Sequence, residues 1–255
     1  MEDLFGWAKT ITIADRSGKT KRVRVDPEHR FVDPQLAPGG RYVAVYDRPE
    51  RRAPADLMVL DTETGKEVFG LHTDNQSLGS FCWLDDKRIA FIYIPERSGG
   101  TSQVVGVVDV AKQPQSIEHP FRAKPDEGLT ELAASRDGKR LAFVRIANDA
   151  PALGVIDTAA WTSKLHPIEA PFEWPSFSPD GEHVTFQLSG SGQTDIAAIT
   201  LATGAVKRLT QTSLNEYLPQ FTADGKRVLF TVGDKDPILS RVRRLNRIAS
   251  VAFEP

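Results

Sequence analysis

The sequence predicts an all-β protein, a β-propeller of four-stranded antiparallel blades, and three observations predict it. A hairpin unit, Pro175-Ser-Phe-Ser-Pro-Asp-Gly-Glu-His-Val-Thr-Phe186, recurs along the chain in weaker copies. The copies are spaced at the period of propeller blades. A second pair of short strands fits between successive copies, which completes four strands per period.

The hairpin follows from its residues. In Ser178-Pro179-Asp180-Gly181, proline presets the first turn dihedral, aspartate suits the next position and glycine accepts the left-handed geometry that twists two strands together. Phe177 ends the incoming strand, and Val184 and Phe186 alternate with polar residues on the outgoing one, the period of a strand with two unlike faces. Such a hairpin cannot bury its apolar face alone.

Further copies run from Pro34 to Gly40 followed by Tyr42 to Val45, from Phe81 to Asp86 followed by Arg88 to Phe91, from Ala133 to Gly138 followed by Arg140 to Phe143, and from Pro219 to Gly225 followed by Arg227 to Phe230. Their last turn residues, at 40, 86, 138, 181 and 225, are separated by 46, 52, 43 and 44 residues. Between copies, Asp56 to Asp61 with Lys66 to Phe69, and Asp195 to Leu201 with Ala205 to Leu209, read as strand, polar turn and strand. Val104 to Val110 and Leu153 to Asp157 fill the same slot in the other two repeats. The four strands of each blade are designated a to d.

The Ser-Pro-Asp-Gly turn, the Arg-(Ile/Leu/Val)-Ala-Phe second strand and the Lys-Arg-Leu-Thr ending at 207–210 resemble the WD40-like (PD40) repeats of the TolB propeller family. The resemblance covers nearly the whole chain and implies one propeller domain over residues 1–255, with no room for the α/β domain that precedes the propeller in TolB. Repeats of this type also occur in propeller domains of peptidases and in some polysaccharide lyases, so the family implies the fold and leaves the activity open.

Bulk properties narrow the partners. A net charge of −2, from 32 basic and 34 acidic residues, gives no electrostatic case for nucleic acid or a membrane surface. The sole cysteine, Cys82, lies in an apolar strand and reads as a small core residue. The first residues lack a basic segment followed by a long apolar run, and no stretch approaches a membrane span, so the sequence as written reads as cytoplasmic. It would be periplasmic or exported if a leader had been removed, as TolB-like proteins often are.

Closure is less determined. Thr10 to Ala14 and Lys19 to Val25 form a c and d pair before the first full copy, and Ile238 to Leu245 and Ile248 to Phe253 could supply c and d strands to the last repeat. Six sectors is the first expectation and five the alternative, with residues 10–25 pairing with strands from 226–253 so that no sheet edge stays open. Lys19, Lys21, Arg22, Arg24, Lys207 and Arg208 read as charges that protect outer edges, as does the Arg241, Arg243, Arg244, Arg247 cluster.

The b-to-c connections share one face with the d-to-a joins, and variable loops on a rigid scaffold are where recognition sits. Candidate binding residues there are Arg51, Arg52 and Arg97 on loops, His72, His119 and His166 at strand ends, and Trp174 before an inner strand. His29, His72, His119 and His166 are spaced by 43, 47 and 47 residues and read as repeat-equivalent polar caps of the turn into the next blade. The alternative is a histidine ring holding a divalent metal, as in certain lyases with this repeat. His183 reads as a surface residue. Nucleophile-elbow, phosphate-loop and zincin motifs are absent from the sequence, and Asp137, Asp180 and Asp224 occupy hairpin turns. The leading expectation is a non-enzymatic scaffold that binds a protein or peptide partner on the b-to-c face, without a cofactor. The alternatives are a metal-assisted polysaccharide lyase, and a regulatory propeller acting beside a separate catalytic subunit.

Overall fold

A computed structural model describes residues 9–48, 55–71, 78–95, 102–147, 151–190, 192–233 and 247–254. The fold is an all-β propeller of antiparallel blades, and the chain divides into two compact units, residues 1–120 and 121–255. In the first unit, the hairpin β1 (Thr10–Ala14) and β2 (Thr20–Val25) precedes a sheet of β3 (Phe31–Leu36), β4 (Tyr42–Asp47), β5 (Asp56–Asp61) and β6 (Glu67–Leu71). A second sheet holds β7 (Phe81–Trp83), β8 (Arg88–Tyr93), β9 (Val104–Asp109) and β10 (Glu118–Arg122), the last strand crossing the boundary.

The second unit has two further four-stranded sheets. One is β11 (Gly128–Ala134), β12 (Arg140–Ile146), β13 (Ala152–Asp157) and β14 (Thr162–Pro167); the other is β15 (Phe172–Phe177), β16 (His183–Gly190), β17 (Gln193–Thr200) and β18 (Val206–Arg208). The last sheet has three strands among the described residues, β19 (Asn215–Phe221), β20 (Arg227–Gly233) and β21 (Arg247–Ala252).

Five blades are present among the described residues, so the alternative count holds and the first expectation of six is corrected. The sixth sector fails because β1 and β2 pair only with each other among the described residues, and the expected ladder between residues 10–25 and 226–253 is not found there. Instead the hairpin lies on the β3–β6 sheet, burying Ile11 and covering Val23 against Phe31, Val43, Val45, Met58 and Leu60. The exposed cationic side chains of β2, Lys21 and Arg22 among them, discourage a further strand on that edge. Ile248 to Ala252 occupies the c position of the last blade, and residues 238–245 lie outside the described ones.

Strands b and c of the second blade, β8 and β9, are buried on both faces and run almost wholly apolar, whereas the outer strand β14 is mostly exposed. Each b-strand phenylalanine faces a small residue on strand c: Phe91 opposite Gly106, Phe143 opposite Gly154, Phe186 opposite Ala197 and Phe230 opposite Ala249. A Cβ at Gly106 would lie 2.7 Å from the Phe91 ring, so the aromatic ring rests where a side chain would otherwise stand.

The hairpin turns carry a repeated hydrogen-bond latch. Ser178 Oγ donates to Asp180 Oδ1 (2.5 Å) and accepts from the His183 amide (2.9 Å). Ser135 does the same with Asp137 (2.8 Å) and the Arg140 amide (2.9 Å), and Thr222 with Asp224 (2.6 Å) and the Arg227 amide (3.1 Å). The hydroxyl joins the two strands while the aspartate, which also accepts from the amide two residues on, fixes the turn. These bonds, with the hydroxyl first among the causes, hold Asp137, Asp180 and Asp224 below the usual carboxylate range.

Candidate functional site

The innermost strands share a feature that positions side chains. In β3, β11, β15 and β19 the ladder slips by a bulge, between Val32 and Gln35, Thr130 and Ala133, Glu173 and Ser176, and Tyr217 and Gln220. Within each bulge one non-glycine residue takes a positive φ: Asp33 (50°), Glu131 (53°), Trp174 (59°) and Leu218 (54°). Left-handed backbone costs a residue with a Cβ roughly 1–2 kcal/mol. Bulges re-aim side chains, and here the result is large apolar groups in solvent: Trp174 is 48% exposed and Leu218 47%.

Trp174 is held from the neighbouring sheet. Its amide donates to Glu131 Oε2, so two adjacent bulges are joined by a charge-assisted bond. Burial, together with the nearby Glu173 carboxylate, pushes the Glu131 carboxyl up to about 6 against the pull of that bond. Glu173 in turn accepts from Gln187 Nε2 at 3.4 Å. Beside these groups a cleft of about 450 Å³ is walled by Thr130, Val144, Ile146, Pro151, Pro171 and Phe172, with Glu131 and Glu173 as its charged residues. Ile146 and Pro151 flank the b-to-c connection of their blade and Pro171 is a d-to-a join, so the cleft lies on the loop side of the second unit.

The other sequence candidates are dispersed. Arg51, Arg52, His72 and Arg97 lie outside the described residues, as do Arg241, Arg243 and Arg244. His29 follows β2 and its Nδ1–H donates to Asp47 Oδ2 at 2.5 Å, while His119, second in β10, is hydrogen-bonded through Nε2 to the Tyr93 hydroxyl at 2.5 Å. His166, fifth in β14, is 4% exposed and its Nδ1 lies 3.7 Å from where a Cβ on Gly204 would stand. Burial, with Lys164 nearby, moves the His166 imidazole below its ordinary value.

Even spacing therefore does not give the described histidines His29, His119 and His166 one position in the strand: the first follows β2, and the others stand second in β10 and fifth in β14. The pairing of His166 with Thr210 is off by one residue: Leu165 and His166 lie opposite Gly154 and Leu153, whereas Arg208 lies opposite Ala197, the residue that matches Gly154, so Leu209 stands in the slot of His166. Thr210, one residue on, accepts through Oγ1 from the amide of Ile196. Among the described residues no group of three or more His, Cys, Asp or Glu side chains is placed to hold a metal. His183 is corrected: it is 9% exposed and packs edge-on against Phe253 at 5.0 Å.

Two buried acids escaped the sequence reading. Glu216, 1% exposed, accepts from the hydroxyls of Thr210 and Thr212, and Asp195, 1% exposed, pairs with Arg208. The Asp195–Arg208 pair lies within the fourth blade, and Glu216 ties the join at Thr210 and Thr212 to the first strand of the fifth. For Glu216, a Thr-x-Thr shortly before a glutamate at the start of a strand was the available signal.

The left-handed bulges, hydroxyl–aspartate latches and four-stranded blades give the context in which the comparisons with known proteins are decisive. Residues 123–236 match the TolB beta propeller domain family. TolB-type blades also relate the chain to solved structures. TolB from Acinetobacter baumannii superposes with a TM-score of 0.61 and 21% identity, over 96% of this chain and 60% of that one. An oligogalacturonate lyase in complex with manganese gives 0.72 and 16%, over 97% and 72%. The β-propeller domain of the Trilobed protease from Pyrococcus furiosus, described as having an open velcro topology, gives 0.64 and 14%, over 96% and 72%. No curated protein matches the sequence. At such identities the likeness establishes the TolB-type fold, which is shared by proteins of different activity.

Proposed function

We propose that the protein is a non-enzymatic binding scaffold whose loop side, around Trp174, captures a protein or peptide partner. One observation carries the reading: Trp174 is presented 48% exposed from a left-handed bulge and is tied down by Glu131, beside an open cleft. An exposed indole at a backbone conformation that costs energy does not serve the core. Fixed aromatic side chains bordering a cleft are the groups that dominate interface energies, because they bury much area with little loss of freedom. Leu218, also left-handed and exposed on the adjacent inner strand, extends the apolar surface.

The test is capture followed by mapping. Partners recovered with the intact protein should crosslink to residues around Trp174, Ile146 and Pro171, and Trp174→Ala should weaken capture about thirtyfold, the ~2 kcal/mol of a hot spot, with an unchanged melting temperature. Crosslinks confined to the Asp137, Asp180 and Asp224 turns would overturn the assignment of this face.

A further inference from the structure

The cleft beside Trp174 has a chemistry of its own. Its wall is aliphatic and aromatic, from Val144, Ile146, Pro151, Pro171 and Phe172, and Ile146 is 47% exposed. Its charged lining residues are Glu131 and Glu173, and among the described residues no lysine, arginine or histidine lines it. Around Glu131, the groups that act on its carboxyl are the Trp174 amide and the Glu173 carboxylate; around Glu173, the carboxamide of Gln187, itself 5% exposed, is the hydrogen-bonded neighbour. The Gln187 Oε1 atom is buried and without a partner among the described residues. Arg145, between the lining residues Val144 and Ile146 on β12, is engaged by Glu127 at 3.0 Å. Two carboxylates thus share an apolar recess with no counter-charge on its walls among the described residues.

We propose that this cleft receives a basic side chain, a lysine or arginine presented by the partner, with its aliphatic stem along Ile146, Pro151 and Pro171 and its cation at Glu131 and Glu173. The inference deepens the binding role proposed above and rests on it for the identity of the occupant as part of a peptide. An apolar stem with a charged tip matches this lining better than a wholly apolar or an acidic residue does. The missing counter-charge supplies the attraction, since a cation relieves the repulsion between neighbouring carboxylates and gains charge-assisted hydrogen bonds. A hard divalent cation would want six or more oxygen ligands, whereas this wall is chiefly hydrocarbon.

The experiment uses the full chain and defined probes. Peptides of sequence acetyl-Gly-Ser-Xaa-Ser-Gly-amide, with Xaa as lysine, arginine, norleucine or glutamate, are titrated at pH 7.5 while amide resonances of residues 128–132, 146 and 172–174 are followed by NMR. The lysine and arginine peptides are expected to shift these resonances with at least tenfold tighter binding than norleucine, and the glutamate peptide not to shift them. Glu131→Gln, which keeps an acceptor for the Trp174 amide, should reduce that preference to about threefold or less, and Glu173→Gln should do likewise. Lowering the pH from 7.5 to 5 should weaken the lysine peptide as Glu131 gains a proton. Equal binding of norleucine and lysine, no shift with any peptide, or calcium or manganese chloride shifting the same resonances more tightly than lysine would each overturn the inference. The first of these would leave the binding face intact, and crosslinks to the opposite side would remove the face while leaving a cation cleft, so the two proposals fail separately.

Discussion

Replacing Ser178 by alanine removes one oxygen from a hairpin that three bonds converge on. The residue is 3% exposed, and its hydroxyl accepts the His183 amide at 2.9 Å, donates to Asp180 and lies 3.1 Å from the His183 carbonyl. Without it the His183 N–H is left buried and unpaired, a cost of about 1–3 kcal/mol, so ~2 kcal/mol is expected, or about a thirtyfold change in the opening equilibrium. The equivalent Thr222 makes the same bonds in an exposed setting, where water can replace the lost oxygen, and Thr222→Ala should cost about 1 kcal/mol or less. Urea unfolding gives the totals, and hydrogen exchange at the His183 and Arg227 amides reads each hairpin directly. The reasoning is refuted if Ser178→Ala stays within about 0.5 kcal/mol of the parent, or if Thr222→Ala costs as much as Ser178→Ala.

The turn aspartates and Glu131 act in opposite senses with pH. Asp137, Asp180 and Asp224 have folded values below 3.8, so their contribution is present above 3.8 and is lost as pH falls through the lowered values. Glu131, raised from 4.5 to about 6, favours the folded state fully below 4.5 and loses that contribution as pH rises through 6. Urea midpoints measured from pH 7 to 3 should therefore rise between 6 and 4.5 and fall below 3.8, and Glu131→Gln should remove the rise and keep the fall. Cys82 is buried and burial pushes its thiol up to about 12, so it should react with a disulfide reagent only at the rate of unfolding. A fast reaction in the folded protein would contradict its place in the core.

The blades were legible because their determinants are local. Ser178-Pro179-Asp180-Gly181 needs only neighbours in sequence to turn, and the Ala-Phe of strand b announces a buried position whose partner on strand c is small. Closure was not legible, since it depends on which edge a terminal hairpin meets, and the apolar side of β1 found the β3–β6 sheet rather than a distant strand. Of the site, Trp174 was visible as an aromatic residue before an inner strand, but Glu131 was not. Its role arises from a bulge that turns it toward the next blade, and nothing in Leu129-Thr-Glu-Leu132 marks a register slip. Trp161 shows the same limit, occupying with φ 53° the turn position that Gly65 and Gly204 hold elsewhere.

An aspartate, a glutamate, a tryptophan and a leucine fill the same kind of left-handed position in β3, β11, β15 and β19. Backbone shape there is kept while chemical character is exchanged, so the strand supplies an address and the side chain is the message. A position of this sort can be rewritten without redrawing the sheet, since each occupant already bears a similar conformational cost. Chemical character at such a position can therefore change over a scaffold that hardly changes.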